Sequence, residues 1–294
     1  MEFREGLPTD DVNAPPSSAP GEFATLTLGA ILGVAMIVVL GAWLMDALIL
    51  RLPPDLEQRW FGGVWEAILE DGSVLENTED GGNDSADARE REVTRDLQAL
   101  LNRVSSGWEN NPYTKLTVQV FDDDDENALA LPGGYILVSS ALISQAESEN
   151  EIAFVLCHEL GHFYHRDHLR RMGRGLLIGL IWTALTGNAT GSGTELFGSL
   201  GDLASRGVDR EAERAADRFA LKLVMAEYGH IQGATAFFDR AARRASATAS
   251  GDVLSAYGST HPGDGERIEQ LQQLATISGW PLNGPLRPWR GSAP

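Results

Sequence analysis

The sequence predicts an α+β fold, mostly helical with a small sheet, preceded by one transmembrane helix. Three observations carry that prediction. An uncharged run lies near the start, two short β-branched and aromatic runs lie in the middle, and the long stretches after them repeat apolar residues at helical spacing. Strands that precede the main helices, rather than alternating with them, favour α+β over a parallel α/β arrangement.

The 294 residues, 43% of them hydrophobic, suffice for a core. Lys and Arg total 23 against 42 Asp and Glu, a net charge of -19. That balance repels phosphate backbones and anionic head groups, so no nucleic-acid partner is expected. The one cysteine, Cys157, forms no intramolecular disulfide, leaves the redox compartment open, and reads as a small buried hydrophobe.

Taken in order, residues 1–22 are acidic and Pro-rich and read as a disordered tail. From Phe23 to Met45 no residue is charged, and as a helix the run reaches about 34 Å, enough to cross a bilayer core; the span is placed at 23–50. Its acidic flank and its length argue against a cleaved signal peptide. Gly29 and Gly33 have the spacing of a helix-dimerisation face, which makes a homo-oligomer through this helix a candidate. Arg51 and Arg59 follow the span closely while Arg4 is distant, a slight lean towards a cytoplasmic domain in a single-pass cell-membrane protein.

Residues 51–92 read as a juxtamembrane segment and acidic linker, with the compact domain starting near Val93, ending at 279, and followed by a Pro-rich tail at 280–294. Within the domain, "TRDLQALLNRV" has helical periodicity, and "KLTVQVF" and "GGYILVSS" read as strands. The Asp122–Asp125 run between them lacks the Gly and distal Glu of a calcium loop and reads as a solvated hairpin turn. Ser148 and Glu151 have capping-box spacing, and "IAFVLCHELGHFYHRDHLRRM" then reads as one long helix. "LLIGLIWTALTG" is too short to span a membrane and reads as a core helix or a membrane-dipping lid. Further helices are expected to stop at Gly229 and Gly279, and the Gly-rich "TGNATGSGTELFG" is either a lid or a passive connector.

The chemistry concentrates in "CHELGHFYHRDH". Four residues apart on a helix, His158 and His162 aim two imidazoles at one ion, and Glu159 lies about 100° round, beside the ion but not on it. That is the HExxH arrangement: two nitrogen ligands, a place for water, and a carboxylate to take its proton. Catalytic zinc wants a third protein ligand, and two candidates stand in the sequence. His168 has metzincin spacing, but His165 stands where that pattern needs a glycine, and on an unbroken helix His168 would lie about 15 Å from His158 along the axis. His165 and His168 therefore read as solvent-facing polar residues. Glu213 is the other candidate, with Asp217 one turn on to orient a zinc histidine. Glu211 and Glu227 lack that companion.

The order "NALALPGGYILVSS", "ENEIAFVLCHELGH", "DREAERAAD", "STHPGDGERI", over roughly residues 95–275, resembles the M forty-eight family of metallopeptidases, the HtpX-like and CAAX prenyl endopeptidase group of gluzincins. The resemblance implies a zincin-like domain, one Zn²⁺ per chain on His158, His162 and Glu213, and Glu159 as base. It places Asp217, Arg210 and Arg267 in support of the ligands and His261, followed by Pro262, near the open zinc position as a catalytic donor. Two features depart from the family: Asp209 stands where a serine is common, and the multi-span helices of the prenyl branch are absent, so CAAX substrates are not implied. The similarity is nearer to single-domain members that handle damaged or misassembled proteins. Polypeptide substrates, preferably unfolded, are expected to add as a strand to an edge formed by Gly133, Gly134, Tyr135 and Ile136. A zinc-containing scaffold that binds polypeptide or a membrane partner without cleaving is the competing reading, and the adjacent Glu159 argues against it.

Overall fold

The computed structural model describes residues 19–70, 84–186, 210–247 and 264–289. Helix α1 (Ala19–Ile49) contains the uncharged run, and Pro20–Ile49 is long and apolar enough to cross a membrane.

The remainder folds around a three-stranded sheet: β1 (Thr117–Phe121), β2 (Ala128–Leu131) and β3 (Tyr135–Ser139) in the order β1-β3-β2. β1 runs parallel to β3 and β2 antiparallel to it. The expected edge strand is therefore wrong. Tyr135 and Ile136 lie on the central strand, and Gly133 and Gly134, at φ 93 and 90, form the turn that carries β2 back onto β3. The physical reason is visible in the residues: Tyr135 to Val138 run without a charged or strongly polar side chain and every position of β3 is buried, as suits a strand covered on both faces and flanked on both sides. Among the described residues β2 is an edge strand. The outer edge of β1 is occupied by Gln98, whose side-chain amide accepts from the Val118 N–H (3.0 Å) and donates to the Leu116 carbonyl (2.9 Å), imitating a neighbouring strand. Asp122–Asp125 turns at the end of β1, but it crosses the end of β3 to reach β2 and is not a hairpin.

Helix α3 (Asp84–Ser105) opens inside the stretch expected as linker; residues 71–83 lie outside the described part. Its Leu97, Leu100, Leu101 and Val104 enter the core with Phe154, Phe163 and Phe238. After the short α4 (Ser140–Gln145), α5 (Glu149–His165) is capped by Ser148, whose Oγ accepts from the Glu151 N–H; the Glu151 carboxylate turns instead to the Glu147 N–H and Arg240. The long helix expected through Met172 is broken. Arg166 adopts the left-handed conformation (φ 61) and caps α5, and α6 (Asp167–Thr186) starts in a new direction. Among the described residues helices α7 (Arg210–Tyr228), α8 (Ala236–Ala247) and α9 (Asp264–Ile277) follow, with Gly229 and Gly279 at positive φ just past α7 and α9 as expected.

Two segments expected outside the domain belong to it. Helix α2 (Pro54–Glu70) buries Glu57, which accepts from the Gly133 N–H (2.9 Å), the Tyr113 hydroxyl (3.0 Å) and Arg166 (2.9 Å) and pairs with His168 (2.9 Å), so a start at Val93 leaves out a structural anchor. The Pro-rich tail also packs: the Arg287 carbonyl accepts from the Glu149 N–H, the Arg287 N–H donates to Asn150 Oδ1, and Trp289 is buried. It supplies partners to the first turn of α5, where helical N–H groups lack them.

Candidate metal centre

Helix α5 is buried along nearly its whole length, and His158, Glu159 and His162 are buried with it. The two Nε2 atoms of His158 and His162 lie 3.2 Å apart. Glu213 of α7 completes the triangle, with Oε2 3.2 Å from His158 Nε2 and Oε1 3.5 Å from His162 Nε2. Tetrahedral zinc with ligands at about 2.1 Å puts neighbouring donors about 3.4 Å apart, so this donor set fits the ion.

The outer nitrogens are committed elsewhere. His158 Nδ1 meets Asp217 Oδ1 at 2.9 Å and His162 Nδ1 meets Asp167 Oδ2 at 3.1 Å, which points both Nε2 lone pairs inward. Burial alone would push His158 down, but its bonds to Asp217 and Glu213 outweigh that and raise it to about 9. Burial and the Arg171 charge take His162 down to about 4. The Asp217 and Glu213 carboxylates thus favour positive charge at His158, which a divalent ion beside it supplies.

Two arginines hold the acids. Arg267 is buried, donates to both oxygens of Asp217 (2.9 and 2.6 Å), reaches Glu213 Oε2 at 3.4 Å, and lies over the Phe238 ring. Its guanidinium is behind the ligands. Arg210 is exposed at the start of α7; among the described residues it is Arg171 of α6, 3.0 Å from Glu213 Oε1, that takes the supporting place expected for it. Glu159 turns to the sheet, where Oε2 accepts from the Ala130 N–H at 2.8 Å. His261 and the candidate lid at 187–198 lie outside the described residues.

His168 is buried, not solvent-facing. Its Nε2 meets Glu57 and its Nδ1 meets the His162 carbonyl at 3.2 Å, so both ring nitrogens are used away from the triangle. His165 is half-buried. Sequence reasoning missed Asp167, Arg171 and Glu57. On an unbroken helix Asp167 would face about 140° away from His162, and only the left-handed turn at Arg166 brings it back.

A buried helix presenting two imidazoles and an adjacent carboxylate, with a third donor carboxylate from a second helix and a sheet edge alongside, defines a metallopeptidase domain of the HExxH class. The chain belongs to Peptidase family M48, whose profile matches residues 88–275, more than half of it. It is 26% identical over 191 residues to the bovine protein "Metalloendopeptidase OMA1, mitochondrial", covering 57% of this chain and 35% of that one. It is 31% identical over 97 residues to the Yersinia pestis "Beta-barrel assembly-enhancing protease", 33% of this chain and 20% of that one. With "Metalloprotease YcaL" of Escherichia coli it shares 28% over 178 residues, 58% of this chain and 67% of the relative. The chain thus spans about a third or less of the length of the first two relatives.

Proposed function

We propose that the chain is a membrane-anchored zinc endopeptidase that hydrolyses peptide bonds in unfolded or misassembled polypeptides, holding one zinc on His158, His162 and Glu213. The observation that carries this reading is the convergence of those three donors at 3.2 to 3.5 Å beside Glu159. When bound, zinc supplies a Lewis acid that polarises the scissile carbonyl and acidifies a water to a pKa of about 7.

The chain's own residues do the rest. Asp217 and Asp167 hold the imidazoles in the tautomer that ligates, and Arg171 and Arg267 hold the Glu213 carboxylate in place. Glu159 takes a proton from the attacking water and returns it to the departing amine. The Ala130 N–H holds that carboxylate at the edge of β2. Since the Asn127 carbonyl accepts from the Ser139 N–H, alternation turns the main chain of Ala128 and Ala130 outward, and a substrate adding there as a strand passes beside Glu159. Main-chain pairing reads extended backbone more than side chains, which favours unfolded substrates. His261 as a further donor to the developing oxyanion belongs to the same reading. The Yersinia relative's name supports a role in quality control.

The test is cleavage by the full chain in lipid vesicles. Unfolded casein is expected to be cut while a tightly folded protein of similar size is spared, and Glu159→Gln is expected to abolish the cleavage of casein. Equal cleavage of folded and unfolded substrates contradicts strand addition at β2.

A further inference from the structure

Helix α2 has two faces of opposite chemistry. One is committed to the domain: Glu57 is buried under four partners, Gln58 donates to the Lys115 carbonyl at 2.8 Å, and Phe61 and Gly62 lie against Gly133. The other presents Trp60 and Val64, one turn apart and 59% and 39% exposed, with half-buried Leu56 one turn earlier. An indole this open, aligned with two aliphatic side chains on a single helix, marks an interaction surface.

What covers it follows from where it sits in the chain. The uncharged run ends at Met45 and Asp46 is the first charge after it. No extended linker intervenes before α2: the N–H groups of Leu50, Arg51 and Leu52 close tight turns onto Asp46, Leu48 and Ile49. The last turn of α1 is also fixed to the domain, with Arg174 of α6 at 2.5 Å from Asp46 and Gly173 packed against Met45 and Ile49. Both elements belong to one folded unit, which starts at Met45. The head-group zone outside the hydrocarbon core is only about 5–8 Å deep on each side, and amphipathic aromatic rings favour it. Charge selects the lipid: Arg59, on the flank of α2, is paired with Asp55 at 3.4 Å, exposed Arg51 is a single further cation where anionic-lipid recognition uses a cluster, and the chain carries -19 overall, so anionic head groups offer little attraction.

We propose that α2 is an interfacial helix, lying on a neutral lipid surface through Leu56, Trp60 and Val64 while its Glu57 face holds the domain. The anchor then does more than tether. Within the folded unit that starts at Met45, α2 then sets how the sheet and the β2 edge face the lipid surface.

The test uses the full chain reconstituted in phosphatidylcholine vesicles, with a bimane probe on Trp60→Cys or Val64→Cys and on Glu109→Cys, an exposed position on the α3–β1 connection. Cys157 is buried and stays unlabelled. The probes at 60 and 64 are expected to be quenched severalfold more than that at 109 by nitroxide on shallow acyl carbons, and severalfold less by iodide, with little change at high salt. Iodide quenching equal to that at 109 overturns the proposal by placing the face in water. Protection from both quenchers also overturns it, because the cover is then protein, a second copy or another partner.

Discussion

Gly161 of α5 lies directly against Ala216 of α7: a Cβ on Gly161 would come within 2.7 Å of the Ala216 Cα and 2.9 Å of its carbonyl oxygen. Backbone cannot swing aside as a flexible side chain can, so the helices cross where a side chain is missing. Glu213 stands one turn before Ala216 and Asp217 directly after it, so this crossing sets the distance of both acids from His158 and His162.

Gly161→Ala separates two expectations. Helix propensity alone would stabilise the variant by about 1 kcal/mol. Overpacking against fixed backbone costs about 1–3 kcal/mol, and a contact of 2.7 Å lies at the severe end, so packing wins. Thermal unfolding is expected at lower temperature than in the wild type, with weaker zinc retention. An unchanged midpoint with unchanged zinc affinity would show that the crossing does not position Glu213.

Asp167→Asn and Asp217→Asn keep all three donors and disturb only their orientation. Each is expected to weaken zinc binding about 10–100-fold, read by competition with a chromophoric chelator. The two should differ in stability. Burial would raise the Asp217 carboxyl, but the Arg267 charge and the bond to His158 outweigh it and hold it below its ordinary value, so Asp217→Asn removes the nearest charge partner of a buried guanidinium and costs more, while the Arg170 that pairs with Asp167 at 3.6 Å is only half-buried. Equal stability of the two variants would argue against the Arg267 assignment.

The long apolar helix α1, the HExxH helix, the glycine stops of α7 and α9 and the spacing of Glu213 and Asp217 on one helix were legible because each rests on local periodicity or on spacing within one helix. What stayed hidden depends on chain reversals. The left-handed turn at Arg166 is made by a residue with no preference for it, and Asp167 and His168 change roles because of it. The order of the strands is likewise invisible in "KLTVQVF" and "GGYILVSS", although the unbroken apolar run of β3 was a sign of a central position. Glu57 gave no signal: an acid in a juxtamembrane helix reads as solvated until Arg166, His168, Tyr113 and Gly133 close round it.

Glu57 makes stability depend on acidity. Burial would raise its carboxyl, but the bond and charge of His168, the Gly133 N–H and Arg166 outweigh that and hold it at about 2, against an ordinary 4.5. A depressed native value favours the fold above the unfolded value, so this contribution is complete above about pH 4.5 and fades as pH falls towards 2. Its size is about 3 kcal/mol. Glu57→Gln is expected to unfold well below the wild type at neutral pH, with the gap narrowing below pH 4.5. A gap independent of pH would contradict the account.

The central claim is that Glu213, delivered by the α5–α7 crossing, is the third zinc ligand and Glu159 is not a ligand. Zinc content of the purified full chain, measured by atomic emission for the wild type, Glu159→Gln and Glu213→Ala, tests it most directly. Close to one zinc per chain is expected in the wild type and in Glu159→Gln, the latter without proteolysis, and zinc is expected to be lost from Glu213→Ala. Full zinc in a folded Glu213→Ala chain would contradict it.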